Sequence, residues 1–173
     1  MPKTILITGP ESSGKSTLAQ YLSKAFNFDC INEYAREYLE SAGHIYTQDD
    51  ILSIAKGHFL LINQLPETSF FILDTYLLNL KIWSNYKYGY CHHWINEQLQ
   101  KFKPAITFLL KPNIPWVEDP LRESPFERQI IFKIYEKELT ELKWPYYIID
   151  AQLIERNSQA EHILKEFLDL KLK

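Results

Sequence analysis

The sequence predicts an α/β fold, a five-stranded and mainly parallel sheet with helices on both faces. Three observations carry that expectation. Short apolar runs alternate with longer helical ones along the whole chain, the pattern of strand and helix joined by right-handed crossovers. Several short runs, "FFIL" and "AITFLL" among them, are apolar throughout, as strands buried on both faces must be. The first run, "KTILIT", passes at once into a glycine- and serine-rich turn and then a helical stretch.

Taken in order, the strands are expected at Thr4–Thr8, about Asp29–Glu33, Phe70–Asp74, Ala105–Leu110 and Tyr146–Asp150. The helical periodicity covers Lys15–Phe26, Tyr34–Ser41, Asp49–Gln64, Leu77–Tyr86, Trp94–Phe102, Pro125–Leu142 and Ser158–Lys171. "YKYGY" reads as a helix end capped by Gly89. One stretch breaks the rhythm: "KPNIPWVEDPLRESP", from Lys111 to Pro125, carries four prolines after the fourth strand. Proline fixes φ and removes a donor, so this is an excursion from the carboxyl edge of the sheet, where open α/β folds bind ligands. With no linker or repeat, residues 1–173 read as one domain, with a lid segment at about 111–128.

Composition narrows the function. The 173 residues are 46% hydrophobic and 24% charged, with a formal net charge of -3. Such a chain lacks the basic field that nucleic acid demands. Aromatics reach 14%, more than a core needs, and suit a pocket for a flat ring. Cys30 and Cys91 form neither a disulfide framework nor a CxxC zinc pair. "MPKTILITG" is not a signal peptide and no 18-residue apolar run occurs, so a cytoplasmic protein without membrane contact is expected.

The turn after the first strand is the strongest signal. Gly9-Pro10-Glu11-Ser12-Ser13-Gly14-Lys15-Ser16 satisfies GxxxxGK[ST] between a strand and a helix. A phosphate chain needs several backbone N–H groups pointing inward, and glycine, lacking Cβ, lets the backbone wrap that tightly. The helix that follows adds its unpaired N–H groups and the positive end of its dipole. Gly9, Glu11, Ser12, Ser13, Gly14, Lys15, Ser16 and Thr17 are therefore expected at a nucleotide, with Lys15 on the β- and γ-phosphates and Ser16 on Mg²⁺. The fold expected is the three-layer sandwich of P-loop nucleotide-binding proteins.

A second metal anchor is an acid ending a buried strand, and "FFILDT" supplies Asp74. A guanine-nucleotide switch would want DxxG after that acid and an NKxD string, and neither is present. A compact phosphate-binding domain with a proline-rich excursion resembles a small-molecule kinase instead, in which a lid brings arginines over the phosphates and excludes water. Arg122 and Arg128 are the candidate lid arginines, the alternative being surface pairs with Glu118, Glu123 or Glu127.

"GPESSGKSTLAQYLSKAF", "NEYAREYLE", "AKGH", "FILDT" and "PWVEDPLRE" occur in the order and spacing of the ribosylnicotinamide kinase domain of NadR-type proteins. The chain resembles that kinase domain alone, without the adenylyltransferase domain that accompanies it in the family. The resemblance implies transfer of a phosphoryl group from ATP, with Mg²⁺, to the 5′-hydroxyl of nicotinamide riboside. It places Glu33, Tyr34 and Arg36 toward the acceptor nucleoside, with Glu33 or Asp74 taking the hydroxyl proton. Arg36 would pair with Glu33 or face the transferring phosphate. Trp116, Asp119 and Arg122 match the lid motif, with Trp116 either covering a ring or closing the lid's small core. His58 of "AKGH" would contact the acceptor or be satisfied in the core. Arg156 of "DAQLIERN" would stack on the adenine or begin a helix in solvent.

Two positions depart from the family: Asn32 stands where an aromatic residue is usual, and Tyr76 stands near the place of a second acid. Both concern the acceptor, so another nucleoside remains an alternative, as does a non-catalytic ATP-binding regulatory module. "CHHW", Cys91 to Trp94, lacks partners spaced for a metal.

Overall fold

The structure, a computed structural model, describes residues 2–42 and 46–171; the ends of the expected 1–173 domain lie outside these. Five strands form one sheet: β1 (Lys3–Thr8), β2 (Asp29–Ile31), β3 (Phe70–Asp74), β4 (Ile106–Leu110) and β5 (Tyr146–Ile149). Their order is β2-β3-β1-β4-β5, and all four pairings are parallel. The central strands are the apolar runs. β4 is buried at every position and β1 at all but its first. The register sets Ile7 of β1 beside Asp74 of β3, bringing that acid next to the turn that follows β1.

Side chains of a strand alternate between faces, so each strand feeds two cores. Leu6, Leu73 and Leu109 pack under α3 (Gln48–Asn63), α4 (Leu77–Tyr88), α5 (His93–Lys101) and α6 (Arg128–Glu141). Ile5, Ile7, Ile72 and Phe108 meet α1 (Lys15–Phe26) and α7 (Leu153–Lys171) on the other side, through Leu18, Leu22, Ala160 and Leu164. Phe108 is fully buried, and its truncation to alanine would cost ~3–5 kcal/mol. The result is the three-layer arrangement expected from the sequence.

Capping fixes several boundaries. α1 starts after Gly14 and stops at Asn27, both in the left-handed region. Thr47 and Asp50 form a reciprocal capping box at the start of α3. Gly89, at φ 78, ends α4. His92 caps α5, its Nδ1 accepting from the Trp94 N–H at 3.2 Å, so "CHHW" is a helix start.

Most boundaries agree to within two residues, and three are informative where they differ. β2 ends at Ile31, because Asn32 and Glu33 already turn into α2 (Tyr34–Ala42). Residues 125–127 precede α6 rather than belong to it. α7 begins at Leu153, five residues before the expected start. Among the described residues no helix is long and apolar enough to cross a membrane.

Candidate active site

The loop between β1 and α1 needs its glycines for measurable reasons. Gly9 has φ 139, and a Cβ there would lie 2.7 Å from the Leu110 carbonyl oxygen at the end of β4. Gly14 has φ 85, and its Cβ would press on the Arg156 guanidinium at 3.0 Å. Ser12 between them also has positive φ, at 50. Backbone of this kind turns N–H groups into a concave nest, and it leads straight into the open first turn of α1, which carries no acidic residue. The loop thus forms an anion cradle.

Lys15, at the start of α1, donates from Nζ to the Pro10 carbonyl at 2.9 Å, within the loop it begins from. The Ser16 hydroxyl donates to the carboxyl of Asp74, the last residue of β3. Asp74 is buried, and its Oδ1 has no hydrogen-bond partner. Burial pushes its pKa up, opposed by the Ser16 hydroxyl and then by the charges of Lys15 and Arg36. The next residue, Thr75, has φ 71, a strained value for a β-branched side chain. Its N–H donates to the Ile7 carbonyl at 3.0 Å. That bond fixes the turn which holds Asp74 at the loop.

Glu33 enters from the other side, between β2 and α2. Burial raises its pKa most, Lys15 opposes, and Asp74 raises it further. Lys15 and Glu33 line a cleft of about 190 Å³ together with Ser16, and the Asp74 carboxyl lies near enough to act on Glu33 by its charge. An orphaned Asp74 oxygen beside the Ser16 hydroxyl is a hard-oxygen pair of the kind that suits Mg²⁺. Among the described residues no group of three His, Cys, Asp or Glu side chains could hold an ion alone. Further ligands would have to be phosphate oxygens and water.

An aromatic wall backs the cleft. Tyr34 stacks on His58 with centroids 5.9 Å apart, and His58 meets the edge of Tyr76 at 5.1 Å. Tyr76 leans on Phe102 at 4.4 Å. Only glycine at position 57 lets Tyr34 cross α3, since a Cβ there would lie 2.3 Å from its hydroxyl oxygen. His58 lines the cleft, is 2% exposed, and its Nε2 has no partner. Burial lowers its pKa to about 4, so the ring is neutral. Tyr76 is buried in the same cluster, leaving no second acid there.

The proline-rich segment lies over the loop. Glu11 Oε2 accepts from the N–H groups of Glu123 and Ser124 at 3.0 and 3.1 Å. Ser12 Oγ accepts from the Val117 N–H at 3.0 Å. Trp116 sits between two guanidinium groups, Arg122 at 6.0 Å and Arg128 at 5.7 Å from its ring. Its indole Nε1 is buried and has no hydrogen-bond partner among the described residues. Arg122 lines the cleft, donates to the Val117 carbonyl and lies 4.0 Å from Asp119.

Three arginines depart from expectation. Arg36 binds Asp119 at 2.9 Å and Glu40 at 3.5 Å, rather than pairing with Glu33 or standing free for a phosphate. Arg128 donates to the main-chain carbonyls of Ser12 and Ile114 at 3.2 and 3.0 Å, so this lid arginine is tied to the loop's own backbone. Arg156 is 4% exposed, and its donors go to carbonyls of Ser13, Ala151 and Lys111 and to the Asn113 side chain. No face of that guanidinium is free to stack on a base.

Sequence reasoning missed one wall of the cleft. Asn79, Trp83 and Tyr86 line it from α4. Their i, i+4, i+7 spacing on the helix following Asp74 is the signal that marks them. Asn79 is also held from below, where the Thr8 hydroxyl donates to its Oδ1 at 2.8 Å.

Comparison with known proteins agrees with this geometry. Over 126 residues the chain is 32% identical to the trifunctional NAD biosynthesis/regulator protein NadR of Escherichia coli (strain K12), covering 69% of this chain but only 31% of that protein. A crystal structure of NadR protein in complex with NR superposes with a TM-score of 0.70 at 21% identity, over 96% of this chain and 51% of that one. NadR protein in complex with NAD and AMP-PNP gives 0.74 at 21% identity, over 96% and 49%. A deoxyadenosine kinase from M. mycoides gives 0.60 at 17% identity, over 96% and 99%. The fold is that of the P-loop kinases, and the chain is similar to part of NadR, spanning about a third of the length of that curated relative. Residues 4–156, from the first strand through the phosphate loop to Arg156, match the AAA domain family, and the chain belongs to that family.

Proposed function

We propose that this protein is an ATP- and Mg²⁺-dependent kinase that phosphorylates the 5′-hydroxyl of nicotinamide riboside, giving nicotinamide mononucleotide. The observation that carries the reading is the cleft itself, where Lys15, Ser16 and Glu33 line the wall beside the loop at Gly9 and Ser16 reaches the Asp74 carboxyl. The similarity to NadR and to a nucleoside kinase supports it.

Each residue then has a task. Loop amides and Lys15, released from the Pro10 carbonyl, take up the ATP phosphates. Ser16 and Asp74 would hold Mg²⁺, which when bound neutralises charge on the phosphate oxygens. Glu33 accepts the proton of the acceptor hydroxyl as its oxygen bonds to the γ-phosphorus and the bond to the ADP oxygen breaks. Burial makes its carboxylate a stronger proton acceptor than an exposed one, while Lys15 and Arg36 favour the ionised form that accepts. Tyr34, Arg36, His58 and Asp119 shape the acceptor side. The segment 111–128 serves as the lid, with Arg122 placed to meet transferring charge and Trp116 keeping it folded.

A second reading is favoured by one observation. Tyr76 is buried against His58 and Phe102 where the family has an acid, and Asn32 replaces an aromatic, so the acceptor is a different nucleoside. ADP release measured over a panel of nucleosides tests both. The first reading requires turnover dependent on nicotinamide riboside; turnover only with another nucleoside selects the second. No acceptor-stimulated turnover across the panel defeats both.

A further inference from the structure

Two arginines hold carbonyls of the loop of the cleft. Arg128 Nη1 donates to the Ser12 carbonyl at 3.2 Å, and Arg156 Nη1 donates to the Ser13 carbonyl, the next one along. In a planar trans peptide the carbonyl and the following N–H point in opposite directions. Fixing the Ser12 and Ser13 oxygens on the outside therefore aims the N–H groups of Ser13 and Gly14 toward the cleft that both residues line.

Each guanidinium is anchored away from the loop. Arg156 also donates to Ala151 O at 3.1 Å after β5, to Lys111 O at 3.2 Å after β4, and to Asn113 Oδ1. Arg128 also holds Ile114 O at 3.0 Å and lies over Trp116. The planar fork of arginine can join several carbonyls at fixed angles, which a lysine cannot do. Gly14 completes the fit, since its missing side chain leaves the Arg156 Nη1 room.

We propose that Arg128 and Arg156 are positioning residues of the phosphate loop, which set two successive peptide planes so that their amides meet a phosphate chain before any nucleotide arrives. This rests on the phosphate-binding reading of the loop and goes beyond it. The guanidinium donors of both arginines go to protein oxygens, so the effect should not depend on the base: it is read with ATP, with GTP and with inorganic tripolyphosphate.

Calorimetric titration of Mg²⁺-tripolyphosphate and Mg²⁺-ATP into wild type, Arg156→Lys, Arg128→Lys and Asn113→Ala tests it, with melting temperatures taken in parallel. Both lysine variants weaken tripolyphosphate and ATP by the same factor, about tenfold, as for one lost charge-assisted hydrogen bond. Asn113→Ala, removing one anchor from a half-buried loop, shows the same loss at smaller size, which keeps the test open if Arg156→Lys fails to fold. Folded variants that bind tripolyphosphate like wild type overturn the inference, whether or not they melt earlier. Loss of ATP alone also overturns it, because that is a base contact. Failure of wild type to bind tripolyphosphate would instead strike the phosphate-binding reading.

Discussion

Arg36 Nη2 donates to Asp119 Oδ2 at 2.9 Å, tying α2 to the proline-rich segment across 83 residues of sequence. Asp119 also lies within 4.0 Å of Arg122 and accepts from the Leu121 N–H at 2.9 Å. Its carboxyl is held below the usual range: burial raises its pKa, but the Leu121 amide and Arg36 outweigh it. One acid thus joins the two sides of the cleft.

From that pair a separation of stability and coupling is expected. The side chains are 38% and 18% exposed, so Asp119→Ala costs at most ~1 kcal/mol of stability. If the segment excludes water, the same change raises the share of ATP lost to hydrolysis. The ratio of free phosphate to phosphorylated acceptor checks this against the denaturation midpoint.

Gly57→Ala is predicted to reverse an ordinary sign. Alanine normally stabilises a helix interior by about 1 kcal/mol over glycine. Here the added Cβ would sit 2.3 Å from the Tyr34 hydroxyl oxygen and 2.5 Å from its ring, an overpacking cost of ~1–3 kcal/mol. Chemical denaturation should show net loss in the wild-type background. With Tyr34→Ala already in place, the same change should stabilise.

His58 makes stability depend on pH. Its pKa falls from 6.5 to about 4 on folding because the buried imidazole resists charge. The contribution is complete above pH 6.5 and is lost as pH falls toward 4, by about 3 kcal/mol at most for that shift. His58→Gln should flatten this part of the stability–pH curve. An unchanged slope between pH 6.5 and 4 would contradict it.

Lys15→Ala should leave the fold intact, because the side chain's hydrogen bond is to the Pro10 carbonyl alone and, in the proposed function, its partner is the ATP phosphate. Turnover should fall by ~10²–10³ or more. Circular dichroism and the coupled assay together distinguish loss of chemistry from loss of structure.

Local features were legible in the sequence and long-range pairings were not. Lys15–Phe26 was readable to the residue, because the glycine before it and Asn27 after it stop the helix by local backbone geometry. The apolar runs gave β3 and β4 for the same kind of reason, since burial on both faces leaves them almost wholly apolar, with only Asp74 and Thr107 polar. Arg36–Asp119 and Arg156–Ser13 are 83 and 143 residues apart. No periodicity reports which carbonyl a guanidinium will find, so Arg128 and Arg156 looked like ligand contacts. Their charge was visible; its direction depended on the fold. Gly57 was readable only as part of "AKGH", and its physical reason, the ring of Tyr34 lying over α3, required the packing.

Product stoichiometry bears on phosphoryl transfer itself. Purified protein incubated with ATP, Mg²⁺ and nicotinamide riboside should yield nicotinamide mononucleotide and ADP in equal amounts by mass spectrometry, with Lys15→Ala as the blank. ADP with free phosphate and no phosphorylated nucleoside, or no ADP at all, would contradict that assignment.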